Sequence, residues 1–264
     1  MRITSWNILH GQSLEPAENS SFAEVAAEFL SDVIALQEVD RNLARSANID
    51  QTTLIANAMK AQWHGFAPTV VGTPGVKWRK LKDNERQVFT TDSASDDMYG
   101  ISIVSIVPVK KWLRLELGRS LIGMPLLVAN EKGRVAPFYV KDEPRVALAA
   151  VLENGFTVVN THLSFVPGFN LAQLKRVKKW ALSIAESTGT RAIVVGDLNL
   201  PKNLPVVRSS WKSLVTQNTY PSWGGKIQFD YILTPDLAFG EYSVRIFAPT
   251  GVSDHLPIGI EIFQ

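Results

Sequence analysis

Three features of the sequence predict an α/β fold in one domain over residues 1–264. Short apolar runs rich in β-branched residues end in polar ones, as in IVVGDLNLP at 193–201. Segments with apolar residues at helical spacing follow some of these runs. No repeat, low-complexity tract or shift of composition marks a linker, and 45% hydrophobic residues in 264 are ample for a packed core.

Residues 2–8 alternate and predict the first strand. Ser21 and Glu24 form a capping box ahead of Phe22, Val25, Ala26, Phe29 and Leu30, which predicts an amphipathic helix. VIALQEVD reads as a short buried strand from Val33 to Leu36 that turns polar at Gln37 and Glu38, with a second helix around 50–60. GTPGVKWRKLKDNER and TTDSASDD predict loops. Strands resume at YGISIVSIVPV and VKKWLRLEL, and an irregular insert spans roughly 118–144. RVALAAVL and FTVVNTHLS then read as a hairpin around Asn154-Gly155. Leu171, Leu174, Val177, Ala181 and Ile184 mark one face of a long helix, with Lys175, Arg176, Lys178 and Lys179 solvating the other. After IVVGDLNLP come a helix or turn beyond Asn203, strands in KIQFDYIL and YSVRIF, and the closing GVSDHLPIGIEIF.

The net charge of +2 is too modest to argue for nucleic acid. The absence of cysteine excludes a disulfide framework, a thiolate metal site and a cysteine nucleophile. The start, MRITSWNILHG, lacks the apolar core of a signal peptide, and no apolar run approaches a membrane span. A cytoplasmic location is expected, with no obligate protein partner evident.

Chemistry gathers where apolar runs end. Asn7 follows ITSW, Glu38 follows VIALQ, and His162 follows FTVVNT. Asp197 and Asn199 follow IVVG, Asp230 sits in IQFDYIL, and Asp254-His255 precedes LPIGI. Strand ends and their loops are where a rigid sheet can present such groups without burying them. If the strand remains extended past Gly196, positions 197 and 199 face the same way. Carboxylates and amides suit a hard divalent cation such as magnesium or manganese. Neither an HExxH zinc pattern nor a GxxxxGK[ST] phosphate loop is present.

In order along nearly the whole chain, WNILHG, LQEVD, NTHLS, GDLN, FDYI and SDHLPI resemble the motifs of the endonuclease/exonuclease/phosphatase superfamily. The resemblance implies a four-layer α/β sandwich, with two packed, mostly antiparallel mixed β-sheets flanked by helices and the site at one sheet edge. It also implies a divalent-metal-dependent hydrolase of phosphate esters that uses Mg2+ or Mn2+. Glu38 matches the metal-binding carboxylate and Asn7 the amide of the first motif. Asp197 matches the aspartate that orients or deprotonates the attacking water, and Asn199 the amide that helps hold phosphate and water. Asp254 matches a metal ligand or orienting group. His255 matches the histidine of general acid/base work or phosphate stabilisation, with Asp230 holding it. His162 matches a donor to a phosphate oxygen or the leaving group, and Arg145 an arginine that neutralises charge nearby.

Some features stay open at this level. His10 reads either as a third site histidine or as a turn residue before Gly11, and His64 reads as structural. KWRKLK at 77–82 is either a polyanion grip or a solvated loop. Tyr99-Gly100 resembles the family's aromatic-glycine entry to a central strand, though the ring has a packing reading too. Ser253 reads as a loop start, and Trp6, Trp180 and Trp211 as packing groups. The substrate is expected to be a phosphate ester, with nucleic acid, a lipid headgroup (through IGMPLLVA) or a small molecule as candidates. The alternatives are a DNA or RNA nuclease of the same family and a silent phosphate- or nucleic-acid-binding module.

Overall fold

A computed structural model describes residues 1–14, 21–91, 97–129 and 135–263, with side chains described outside 126–138. The strands are β1 (Arg2–Asn7), β2 (Val33–Arg41), β3 (Trp63–Thr73), β4 (Lys77–Lys80) and β5 (Met98–Ser105). There follow β6 (Val109–Gly118), β7 (Met124–Ala129), β8 (Val135–Val140), β9 (Arg145–Leu152) and β10 (Phe156–His162). Last come β11 (Arg191–Asp197), β12 (Lys212–Ser213), β13 (Asp230–Thr234), β14 (Tyr242–Ile246) and β15 (Ile258–Ile262). The helices are α1 (Phe22–Glu28), α2 (Gln51–Ala58) and α3 (Phe169–Thr188).

Two sheets carry the fold, ordered β14-β15-β1-β2-β5-β3-β4 and β12-β13-β11-β10-β9-β6. Within them β1–β2 and β10–β11 are parallel and the other pairs antiparallel. Alternate residues of every central strand point to opposite faces, so each sheet has two faces to cover. Ile3, Val33, Ala35, Ile101 and Ile103 of one sheet meet Val146, Leu148, Val158, Ile193 and Val195 of the other. On the outer face of the seven-stranded sheet, Trp6, Ile34 and Leu36 pack with Ala23, Ala26 and Ile55 of α1 and α2. On the outer face of the six-stranded sheet, Ala147, Val159 and Val194 pack under Leu174, Val177 and Ala181 of α3. These are the four layers that the motifs implied. Burial on both faces explains why the strands read as short continuous apolar runs.

Several local expectations change. The GTPGVKWRKLK segment contains the turn of a β3–β4 hairpin rather than a loop, with Gly72 and Gly75 at φ +95° and +78°. KWRK forms its edge strand, Trp78 packs beside Leu43, Val70 and Tyr99, and Arg79 makes two 2.7 Å hydrogen bonds to Glu85. The insert expected to be irregular carries the antiparallel pair β7–β8. Residues 92–96 of TTDSASDD and 130–134 of the insert lie outside the described residues. Ser21 precedes α1 without a side-chain cap, whereas Asp50 caps α2 by accepting from Thr53 N at 3.1 Å. On α3, Leu171 is exposed, and Arg176 and Lys178 donate to backbone carbonyls of Leu117 and Pro205. Among the described residues, no helix is long and apolar enough to cross a membrane.

Candidate active site

On the faces that meet between the sheets, apolar residues give way to polar ones toward one end. β1 runs Ile3, Ser5, Asn7; β10 runs Phe156, Val158, Asn160, His162; β11 runs Ile193, Val195, Asp197. The register aligns the last members: His162 lies opposite Asp197, and Asp197 opposite Asp230 at the start of β13. Gly196, at φ +134°, makes this possible, because a Cβ there would lie 1.9 Å from Thr161 O. Its role is the close approach of β10 and β11.

The strand ends at Asp197, and Asn199 takes a left-handed backbone with φ +50°. Extended geometry therefore does not carry both side chains to one face. Asn199 instead meets Asp197 through its backbone, whose N–H donates to Asp197 Oδ1 at 2.9 Å, while its side-chain amide donates to Leu163 O at 3.0 Å.

Asp197 Oδ2 is the point on which the other groups converge. Asn7 Nδ2 donates to it at 3.1 Å and also to Glu38 Oε1 at 3.1 Å, which ties the two sheets together. His162 Nε2 lies 3.6 Å and His255 Nε2 3.8 Å from the same oxygen. Both separations are too long for hydrogen bonds and leave the imidazole donors for another group. His255 Nδ1 lies 2.8 Å from Asp230 Oδ2, with both residues buried. Glu38 reaches the site through a bulge between Leu36 and Val39, with its own φ at +56°. Such a bulge re-aims a side chain that regular pairing would place elsewhere.

Burial and like charges set the protonation states. Burial, then Asp254, raises Glu38 to about 7. Burial raises Asp197 to about 6, against the pull of His255. Burial would lower His255, but Asp230, Asp197 and Asp254 outweigh it and hold the ring at about 10. Burial lowers His162 well below its ordinary value, with Arg145 and His255 adding to the effect. At neutral pH one imidazole is thus cationic and the other neutral, on two sides of one carboxylate.

The donor set fits a hard divalent cation at Glu38 and Asp254. Asp254 Oδ1 is buried without a hydrogen-bond partner among the described residues, and burial raises Asp254 as it does Glu38. Uncompensated carboxylate oxygens of this kind are what magnesium or manganese takes. Asp197, Asp230 and His255 also bring ligand atoms within 4.8 Å of one another. There the His255 nitrogen that faces Asp230 is already hydrogen-bonded.

Other expected residues stand farther from the centre. Arg145 begins β9, and its guanidinium is held by Glu143 at 2.8 Å and Asp142 at 3.4 Å, so it acts on His162 through its field. His10 supplies its carbonyl to Gln51 at 2.7 Å, and burial lowers its ring to about 4, which suits the turn reading. His64 lies within β3 opposite Val104. Ser253 holds the site loop, donating to Asn7 O at 2.6 Å and accepting from His255 N at 3.1 Å.

Sequence reasoning missed Tyr220, whose ring centroid lies 5.1 Å from that of His255. It also missed Gln37 and Asn160, which bridge the sheets through a 2.7 Å bond from Gln37 Nε2 to Asn160 Oδ1. Asn160 carried a usable signal, since it shares the face of Val158 and His162. Tyr220 carried none, because no periodic element surrounds it.

Comparisons with known proteins agree with this architecture. The profile described as "Endonuclease/Exonuclease/phosphatase family" matches residues 4–255. No curated protein sequence matches the chain. Among solved structures, an endonuclease/exonuclease/phosphatase family protein from Leptotrichia buccalis is similar at TM-score 0.61 and 14% identity, over 100% of both chains. A mannosyl-6-phosphatase from Bacteroides thetaiotaomicron is similar at 0.59 and 12%, again over 100% of both. The human Nocturnin catalytic domain with bound sulfate is similar at 0.55 and 15%, over 99% of this chain and 93% of that one. At these identities the structures speak for the fold, while the profile spans almost the entire sequence. The chain belongs to the endonuclease/exonuclease/phosphatase family, whose members are phosphoester hydrolases.

Proposed function

We propose that residues 1–264 form a single catalytic domain that hydrolyses a phosphate ester with a divalent cation, magnesium or manganese. The observation that carries this reading is the convergence of Asn7, His162 and His255 on Asp197 Oδ2, with Glu38 sharing the Asn7 amide. Glu38 and Asp254 would hold the cation, which when bound would supply positive charge to the phosphoryl oxygens. Asp197 orients the attacking water, and its position is fixed by Asn7 and the Asn199 backbone. Cationic His255, braced by Asp230, donates from Nε2 to a phosphoryl oxygen or the leaving group. Neutral His162 donates from the other side and adds no net charge. Arg145 acts on the site by its field.

The test is a panel running from a bis-aryl phosphate to plasmid DNA and phosphoinositides, assayed with and without magnesium or manganese. Cleavage of at least one member only with the cation is expected, with a loss of at least about 10²-fold in Asp197→Ala and in His255→Ala. Undiminished activity in both variants would overturn the residue roles. Magnesium binding without turnover across the panel would instead make the domain a silent binder.

A further inference from the structure

One tryptophan departs from the pattern of the rest. Trp6 and Trp211 are buried, Trp78, Trp112 and Trp180 pack against core clusters, and Trp63 is half-buried in β3 opposite Ser105. Trp223 is 67% exposed, and among the described residues its indole makes no hydrogen bond or ring contact. Exposure alone does not make it a site, since single apolar side chains on a surface are common, and the case rests on where the residue stands.

Its position says what that something approaches. Trp223 sits at the tip of a short hairpin closed by the Tyr220–Ile227 bridge, where Tyr220 N donates to Ile227 O and Ile227 N to Tyr220 O, both at 3.0 Å. The base of this hairpin is fastened to the site. Ser222 N donates to Asp254 O at 2.8 Å, Ser222 Oγ to Ser253 O at 2.9 Å, and the Tyr220 ring lies beside His255. The residue before Trp223 is therefore bonded to the backbone of the proposed cation ligand. After it come Gly224 and Gly225, and the space a Cβ would fill at Gly224 is open for 4 Å.

We propose that Trp223 is a specificity-determining residue whose indole stacks on the face of a ring that the substrate carries beyond its phosphate group. This rests on the hydrolase reading above and narrows it. The shared chemistry is a ring face that can lie against an indole, the π face of a nucleobase or the C–H face of a sugar ring, and open-chain phosphate esters lack it. An anchored hairpin fixes the backbone that carries the indole, so only the side chain has to be ordered when the ring arrives. Stacking of a base on an aromatic side chain corresponds to a contribution of about ten- to hundredfold in affinity.

The experiment has a binding arm and a hydrolysis arm. The indole N–H resonance of Trp223, assigned by its absence in Trp223→Phe, is followed by NMR during titration with adenosine 5′-monophosphate, glucose 6-phosphate and glycerol 3-phosphate. A shift with the first and not the second identifies a base and a shift with the second a sugar, while glycerol 3-phosphate leaves it in place; no shift with either ring compound overturns the proposal. For hydrolysis, Trp223→Ala is compared with wild type on the nucleotide, sugar and glycerol phosphate esters that wild type cleaves. The expected result is a roughly ten- to hundredfold fall in kcat/KM for ring-bearing esters, no change for glycerol esters, and substantial rescue by Trp223→Phe. An equal loss on all esters, or none on any, overturns the ring site. If wild type cleaves nothing, the hydrolase reading fails while the NMR titration still decides the ring site.

Discussion

Replacing Asp230 by asparagine removes one negative charge from the centre of the site and little else. Asp230 Oδ2 accepts from His255 Nδ1 at 2.8 Å, and an asparagine oxygen can accept in the same place. The other carboxylate oxygen is buried without a hydrogen-bond partner among the described residues, so the new amide exchanges one unpaired group for another. The loss is electrostatic. Burial would lower His255, yet Asp230, Asp197 and Asp254 together hold it at about 10 rather than 6.5. At about 1.4 kcal/mol for each pH unit, the folded state's preference for the protonated ring is worth about 5 kcal/mol. Asp230 is the foremost of the three and the one hydrogen-bonded to the ring, so about half of this, roughly 2–3 kcal/mol, should disappear. That agrees with the ~1.5–3 kcal/mol of a hydrogen bond to a charged group.

A pKa raised by folding stabilises the protein in full below the unfolded value, about 6.5, and the stabilisation is lost as pH rises through about 10. Urea unfolding of wild type and Asp230→Asn should therefore differ most near pH 6 and converge toward about pH 10. In parallel, NMR should show the His255 ring titrating at lower pH in the variant. A difference in stability that is constant from about pH 6 to 10, together with an unchanged His255 titration, would refute the charge-pair account.

Glu38→Gln should weaken magnesium binding by at least about tenfold in isothermal titration while leaving the circular dichroism spectrum intact, since one anionic ligand is lost without a change of shape. Hydrolysis should rise with pH through about 6 as Asp197 loses its proton. Asp197→Asn should lose both that ascending limb and most of the rate, read from a pH series at saturating cation. Gly196→Ala should lower stability by several kcal/mol, on the order of 3 or more in urea unfolding, because its Cβ would meet Thr161 O at 1.9 Å on a backbone at φ +134°.

The sequence made the central strands legible because their apolar runs are uninterrupted, and it made the site legible because each run ended in a group of distinctive chemistry. Asp197, His162, Asp230, His255, Asn7 and Glu38 all meet at one end of the sandwich. The edges were harder to read. In β3, Pro68 coincides with a register shift, and the glycines at 72 and 75 form a tight hairpin where composition suggests a loop. Arg145 has the right place in the chain, but two neighbouring carboxylates claim its guanidinium. Strand periodicity places Asn199 on the face of Asp197, and it fails once the backbone turns left-handed. Periodicity reports on regular elements, and the last step into a site leaves them.

That last step also explains why the sandwich needs a polar layer beneath its site. Gln37 and Asn160 are fully buried, and Asn160 Nδ2 donates to both Leu36 O and Ser102 O at 2.8 Å. Two apolar sheets packed by area alone can slide, since dispersion and burial are not directional. A side-chain amide that must satisfy two carbonyls on the opposite sheet, and a second amide besides, permits one alignment. Two residues beyond Asn160 on the same face of β10 lies His162, and one residue beyond Gln37, through the bulge in β2, lies Glu38. The amide bridge therefore fixes the two sheets at the point where Asn7 of one must reach Asp197 of the other. Catalytic geometry that spans two sheets depends on such a lock, and it is placed in the layer where the apolar core stops and the chemistry begins.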